Sequence, residues 1–227
     1  MSRPFFSIIV PAHNSAEYIR KGLHSIKQQT FTDYELIVVC DACMDNTAAV
    51  ALGYAEKVIS TQYGRDGLAR NAGIDAADGE WILFMDDDDW WMHPYAFEMI
   101  AQRLQDPDID ILMFGFLARG FMKPGLQEYY NSYGRIWPAV WNKCYRREFI
   151  GDTRFPGIEF TSDLPFSNEL LRKKPGVQMW PVALYYYNYM RKGSQTEIHA
   201  RPEGAVPEAG DERKESAPDP GGRADRC

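Results

Sequence analysis

The sequence predicts an α/β fold: a mainly parallel sheet with helices on both faces. Three observations lead there. Short apolar runs alternate with segments of helical period through residues 5–91. These runs end in polar clusters, at Ala12-His13-Asn14, Asp41 to Asp45 and Asp86 to Asp89. Parallel strands send their carboxyl ends to one edge, where ligands of such sheets bind, so the three clusters are expected to converge.

Phe5 to Val10 reads as a buried strand stopped by Pro11. Asn14 is placed to cap a helix, with Glu17 completing a capping box, and Ile19, Leu23 and Ile26 recur at helical spacing. Tyr34 to Val39 is a second strand, followed by a helix from Thr47 to Leu52 that Asp45 can cap. Lys57 to Ser60 is a short third strand, and Gly67 to Ala77 a helix interrupted by Gly73. Trp81 to Met85 is the fourth strand. Pro94 to Leu104 reads as helix, Asp108 to Leu117 as strand, and Phe121 to Tyr133 as a loop or hairpin. Trp137 to Ile150 is expected to be partly helical, Asp163 to Arg172 helical, and Val177 to Tyr189 a final aromatic strand. From Glu197 large apolar residues nearly vanish, so 197–227 is expected to be a disordered tail.

The strand ending in Asp86, Asp87, Asp88 and Asp89 concentrates negative charge. At ~6 Å and an effective dielectric of ~20, each close pair repels by roughly 3 kcal/mol. Solvent can screen such a block as an exposed acidic turn, or a divalent cation can neutralise it. Carboxylate oxygens suit Mg²⁺ or Mn²⁺, and Mg²⁺ prefers one or two carboxylates plus substrate phosphates to a full protein cage.

The net charge of −7 over 227 residues argues against nonspecific nucleic-acid binding, which needs a basic surface. No apolar stretch reaches the ~18 residues of a membrane span, and the apolar run before Pro11 is short for a signal peptide. The expected compartment is therefore the cytoplasm, with contact at the inner face of a membrane left open. Cys40-Asp-Ala-Cys43 is a CxxC at a strand end: either a thiol redox pair or two small residues.

Four ordered motifs resemble the large family 2 of GT-A glycosyltransferases, which are inverting enzymes using nucleotide sugars. They are Ser7-Ile-Ile-Val-Pro-Ala-His-Asn14, Asp41-Ala-Cys-Met-Asp-Asn-Thr47, Gly67-Leu-Ala-Arg-Asn-Ala-Gly-Ile74 and Phe84-Met-Asp-Asp-Asp-Asp-Trp90. In the second, Ala42 and Cys43 replace the usual Gly and Ser. In the fourth, Asp86 and Asp88 match the DxD positions. Trp141 to Phe149 is similar to the segment before the acceptor site. Phe160-Thr-Ser-Asp-Leu-Pro-Phe166 stands where the family shows Glu-Asp-x-x-Phe, with Ser162 replacing the glutamate. The resemblance implies a GT-A domain over 1–196, its nucleotide-sugar-binding half at 1–105 and its acceptor-binding half at 106–196. It also implies sugar transfer from a nucleotide sugar, a UDP-sugar first, to a glycan or glycolipid acceptor in cell-surface polysaccharide assembly.

On that resemblance Pro11, Ala12, Asn14 and Glu17 line the nucleoside pocket, Glu17 serving equally as a capping residue. Asp41 accepts a base imide N–H or caps a helix. Arg70 reaches a phosphate or sugar, or pairs with an acid. Asp88 is the first choice for metal contact, with Asp86 beside it or on the ribose or sugar. Asp87 joins the donor site, although Asp87 and Asp89 serve equally as solvated or capping residues. Asp163 is the base that takes the acceptor proton, or else a helix cap. Trp90, Trp141 and Lys143 are candidate acceptor contacts, and Trp91 and Trp137 further stacking surfaces; core packing explains such aromatics as readily. A catalytically silent nucleotide-sugar-binding module is the main alternative. A nucleotidyltransferase would want a Gly-rich basic loop after the first strand, and Pro11-Ala-His-Asn14 offers neither feature.

Overall fold

The computed structural model describes residues 3–120, 125–130, 138–159 and 161–189. The tail at 197–227, Trp137 and parts of the Phe121–Tyr133 and Phe160–Phe166 segments lie outside the described residues. The elements run β1 (Phe6–Ala12), α1 (Ile19–Lys27), β2 (Tyr34–Asp41), α2 (Thr47–Ala51), β3 (Lys57–Thr61), α3 (Asp66–Ala76), β4 (Trp81–Phe84) and β5 (Trp90–Trp91). They continue as α4 (Ala96–Arg103), β6 (Ile111–Arg119), β7 (Leu126–Tyr129), β8 (Lys143–Arg146), α5 (Arg147–Ile150), α6 (Asp163–Arg172) and β9 (Val177–Tyr187).

One sheet runs β3-β2-β1-β4-β8-β6-β9-β5, with β7 paired to β6. The first four strands pair in parallel, as the alternation predicts. Beyond β4 the sheet is mixed: β8 lies antiparallel to both β4 and β6, while β9 is parallel to β6. Side chains alternate between two cores. Ile8, Val10 and Leu83 meet α1 and α4 through Leu23, Ile26, Phe97 and Ile100. Ile9, Ile82 and Phe84 meet α3 and α6 through Ala69, Ile74, Phe166 and Leu170. Burial on both faces makes these strands near-continuous apolar runs.

Several expectations are corrected. Pro11 does not stop β1, which runs to Ala12 and pairs Pro11 with Val39. The Ile9 carbonyl accepts from Met85 N–H, so Pro11, two residues on, turns its nitrogen to the same side. The β1–β4 pairing ends at Ile9 and Phe84, so no ladder bond is lost there. Asn14 and Glu17 form no capping box: α1 starts after Tyr18 without a side-chain cap, and the Ser15 carbonyl accepts Tyr18 and Ile19 N–H. Gly73 does not interrupt α3; a Cβ there would lie 2.3 Å from Ile9 Cγ2, so glycine lets the helix close on the sheet. Of the partly helical 137–150 segment, Arg147–Ile150 is helix (α5) as expected, while residues 143–146 are strand. Cys144 enters one core and Tyr145 the other, a pattern of burial on both faces that the neighbouring charges disguise.

Ala42, where the resemblance expects glycine, sits at φ 50°. A left-handed alanine costs roughly 1–2 kcal/mol, partly offset because glycine loses more freedom on folding. Ala42→Gly is expected to stabilise the protein by about 0.5–1 kcal/mol, read as a higher urea midpoint at unchanged slope.

Candidate active site

The three polar clusters meet at the carboxyl edge of the parallel strands. His13 N–H donates to Asp87 Oδ2 at 3.1 Å, joining the β1 loop to the acidic loop. His13 Nδ1 lies 2.7 Å from the Asp41 carbonyl and must donate to it. That tautomer leaves Nε2 to accept the Asn14 amide at 3.1 Å, while Asn14 Oδ1 takes Met44 N–H at 2.7 Å. Asn14 adopts φ 47°, which asparagine tolerates better than most residues. Asp45 accepts Ala16 N–H and Thr47 N–H, but it stands one residue ahead of Asn46, the N-cap of α2, so it is not the cap itself. Burial pushes its pKa up, but the Thr47 and Ala16 hydrogen bonds outweigh it and hold the group below the ordinary value.

Asp41 is buried and caps no helix. Its carboxylate accepts Thr61 Oγ1, Tyr63 N–H and Arg65 N–H at 2.9, 2.6 and 2.9 Å, fixing the turn between β3 and α3. A carboxylate offers about four lone-pair sites, so capacity for one further donor remains.

The centre of the site is Arg70, 4% exposed on α3. Nη1 lies 2.5 Å from Asp66 Oδ2 and 3.3 Å from Asp163 Oδ1; Nη2 lies 2.8 Å from Asp86 Oδ1. Of the two roles open to Arg70, the acid pairing is the one these contacts show. Burial opposes its charge, yet Asp163, Asp66 and Asp86 together raise its pKa well above the ordinary value. Asn71 clamps the facing segment, donating to the Phe155 carbonyl and accepting Phe155 N–H at 2.9 and 2.8 Å. One helical step thus aims an arginine at the rim and fastens the helix to the opposite wall.

Asp163 begins α6 and keeps 21% of its side chain exposed. Oδ2 accepts Val140 N–H at 3.1 Å. Burial pushes its pKa up to about 6; Arg70 opposes that, and the negative charges of Asp86 and Asp66 add to it. A carboxyl that titrates near neutrality suits proton abstraction better than an ordinary aspartate.

The four aspartates divide. Asp86 faces Arg70 through one oxygen, and its N–H donates to the Tyr185 hydroxyl at 3.1 Å. Asp89 is fully buried, and is neither solvated nor a cap: it accepts Tyr185 O–H and Asn188 N–H, each at 2.7 Å. Burial raises its pKa, with Asp88 and Asp86 adding to the shift. Asp89 therefore braces the acidic loop against β9. A Cβ on Gly22 would lie 2.5 Å from the Asp89 carbonyl oxygen, so α1 presses on the same loop.

Asp86, Asp87 and Asp88 stay partly exposed at the rim. Among the described residues no three His, Cys, Asp or Glu side chains form a preassembled metal cage. Two carboxylates at an open rim nevertheless fit Mg²⁺ or Mn²⁺, ions that complete their shells with phosphate and water.

The acceptor expectations are corrected. Trp141 is 4% exposed and stacks on Tyr185 at 5.1 Å, so it belongs to the core. Trp91 is likewise buried, at 3%. Lys143 is 1% exposed, its Nζ 2.9 Å from Asn142 Oδ1; burial lowers its pKa to about 7, against the pull of Asp163. Trp90 lies on Tyr186 at 3.9 Å, with Lys21 Nζ 2.9 Å above its ring and 6.0 Å from the Tyr186 centroid. Those distances put Lys21 and Tyr186 on opposite faces, leaving neither open to a sugar. The CxxC is equally unsuited to redox work. Burial lifts Cys40 to about 12 and raises Cys43 as well, the reverse of a reactive pair.

The contacts that Asp66, Val140 and Tyr185 make with the site have no place in the motifs. Asp66 had a signal, standing four residues before Arg70 on one helix face. Tyr185, 99 residues from Asp86, had none.

A parallel half continued by a mixed half, with an acidic loop at the strand ends, defines a GT-A fold. Residues 7–161 match the model of the family described as glycosyl transferase family 2, and the chain belongs to that family. EpsJ of Bacillus subtilis, named an uncharacterized glycosyltransferase, is 30% identical over 88% of this chain and 65% of its own length. TarS of Staphylococcus aureus, a poly(ribitol-phosphate) beta-N-acetylglucosaminyltransferase, is 38% identical over 83% of this chain and 36% of its own. The chain thus spans less than two thirds of the length of these relatives. The crystal structure of TarS 1–349 with UDP-GlcNAc superposes with a TM-score of 0.73 at 25% identity, covering 85% of this chain and 60% of that one. A mannosyltransferase from Pyrobaculum calidifontis, solved with GDP-Man and Mn²⁺, shares the fold at a TM-score of 0.65 and 18% identity, over 85% of this chain and 59% of its own.

Proposed function

We propose that this chain carries the catalytic core of an inverting glycosyltransferase, moving a sugar from a UDP-sugar to a glycan or lipid-linked acceptor. The observation that carries the reading is Arg70 bridging Asp86 of the acidic loop and Asp163 of α6. It puts a carboxylate with a pKa of about 6 beside the rim where a nucleoside diphosphate would lie. TarS, solved with UDP-GlcNAc, supports a uridine donor. Residues 1–105 form the donor half and 106–196 the acceptor half. Among the described residues no helix is long and apolar enough to cross a membrane. A lipid-linked acceptor would place the reaction at the inner face of a membrane, and a soluble glycan acceptor in the cytoplasm.

Asp41 has one acceptor site left for a base N–H, and the tied Ala12–Asn14 loop borders the nucleoside. Asp88 and Asp86 would hold Mn²⁺ or Mg²⁺, which as a Lewis acid stabilises a departing diphosphate. Asp163 takes the acceptor hydroxyl proton during in-line attack, its second oxygen fixed by Val140 N–H. Arg70 positions Asp163 relative to Asp86, so that base and donor share one frame.

The test is hydrolysis of UDP-sugars with and without Mn²⁺, alongside calorimetric UDP binding. Asp88→Ala is expected to weaken Mn²⁺-dependent UDP binding by more than about tenfold. Tight UDP binding without turnover, across sugars and broad acceptors, would instead establish the silent binding module. Unchanged metal-dependent binding in Asp88→Ala would remove Asp88 from the site.

A further inference from the structure

Asp66 and Ser162 meet at the wall of the site, in a contact the proposed chemistry has not used. Ser162, 1% exposed, directly precedes Asp163, and its Oγ lies 3.3 Å from each Asp66 oxygen. Asp66 Oδ1 also accepts Gly67 N–H at 2.8 Å, which orients the carboxylate. Its other oxygen approaches Arg70 Nη1 to 2.5 Å, while Asp163 stands 3.3 Å from the same nitrogen. The two helix starts are pressed together: a Cβ on Gly67 would lie 2.9 Å from Ser162 Cβ and 3.0 Å from Phe155 Cβ. The carboxylate that meets Nη1 at this wall is Asp66, and it lies between Arg70 and Ser162.

We propose that Asp66 is a positioning residue for the transfer step, holding Arg70 Nη1 so that Asp163 keeps an oxygen available for the acceptor proton, and that it supplies from α3 the carboxylate a glutamate at position 162 would supply from α6. This rests on Asp163 acting as the base. Two carboxylates compete for one N–H edge, and the nearer one takes the larger share of the charge. Without Asp66, Nη1 closes on Asp163, neutralising it and drawing it away from the acceptor. A serine at 162 agrees with this arrangement: its hydroxyl donates to Asp66, whereas a glutamate there would repel it.

The exchange is testable as a cycle of four full-length proteins: wild type, Asp66→Ala, Ser162→Glu, and both together. The readouts are kcat and KM for UDP-GlcNAc hydrolysis with Mn²⁺ over pH 5–9. Asp66→Ala is expected to lower kcat about 100-fold with donor KM within about threefold, because a misplaced reacting group costs rate rather than donor affinity. Its acid limb should move to lower pH. Ser162→Glu alone should also slow turnover, and the double variant should be at least about tenfold faster than Asp66→Ala. Asp66→Asn, which keeps size and loses charge, should repeat the kcat loss where the alanine variant folds poorly. A double variant no faster than Asp66→Ala overturns the exchange. If wild type turns over no nucleotide sugar, with water or with broad acceptors, the transferase reading fails instead. The urea midpoints of the four proteins then decide the exchange: a double variant more stable than the additive expectation sustains it, and an additive one overturns it.

Discussion

Asp163→Asn is expected to reduce sugar transfer by about 10²–10⁴-fold, the usual contribution of a general base, while UDP binding persists and the protein becomes more stable at pH 8. The stability gain separates loss of a base from loss of fold. Burial lifts the Asp163 carboxyl from 3.8 to about 6. A folded value above the unfolded one means that its favourable contribution is complete below about pH 4 and is lost as pH rises through about 6. At pH 8 the ionised side chain costs the fold about 1–3 kcal/mol, the lower figure allowing for its remaining exposure. Asparagine keeps an oxygen for Val140 N–H and carries no charge, so it removes that cost. Urea midpoints should separate at pH 8 and converge near pH 4.5. Wild-type kcat/KM should rise with pH between about 5 and 7 and then level off. Normal transfer by the asparagine variant would end the base assignment, and equal midpoints at pH 8 would end the burial argument.

What was legible in the sequence follows from how local each signal is. The parallel half could be read because β1, β2 and β4 are buried on both faces and so appear as apolar runs. Their carboxyl ends carried the polar clusters, so the rim could be foreseen, and His13 does join Asp41 and Asp87 there. The second half was harder. β8 holds Lys143, Tyr145 and Arg146 in four residues, and only its insertion between β4 and β6 makes it a strand. The fate of the aromatic residues was hidden for a similar reason. Trp90 and Trp141 are capped or stacked by Tyr186, Tyr185 and Tyr187, partners far away in the sequence. The Asp41 turn and the Asp89 brace likewise depend on partners that no spacing rule reaches. A motif reports which residue stands at the rim, but not which side chains already occupy it.

Arg70→Met is the second large effect, and it falls on stability first. Methionine keeps most of the aliphatic volume and removes the guanidinium, which is 5% exposed and shared by Asp66, Asp86 and Asp163. Removing one partner of a buried ion network leaves uncompensated charge, at a cost of about 3–5 kcal/mol. Here three carboxylates would face one another across the wall of the site. The repulsion needs the carboxylates ionised, so the penalty is small at low pH and develops as they lose their protons. Wild type and variant should therefore differ most at pH 8 and least near pH 4.5 in urea denaturation. Arg70→Lys should recover part of the stability and little of the transfer, because an ammonium is a point charge that cannot hold Asp66, Asp86 and Asp163 in one plane. A methionine variant as stable as wild type at pH 8 would show that the network contributes nothing to the fold. A fully active lysine variant would show that charge alone, without the fork geometry, orients the base.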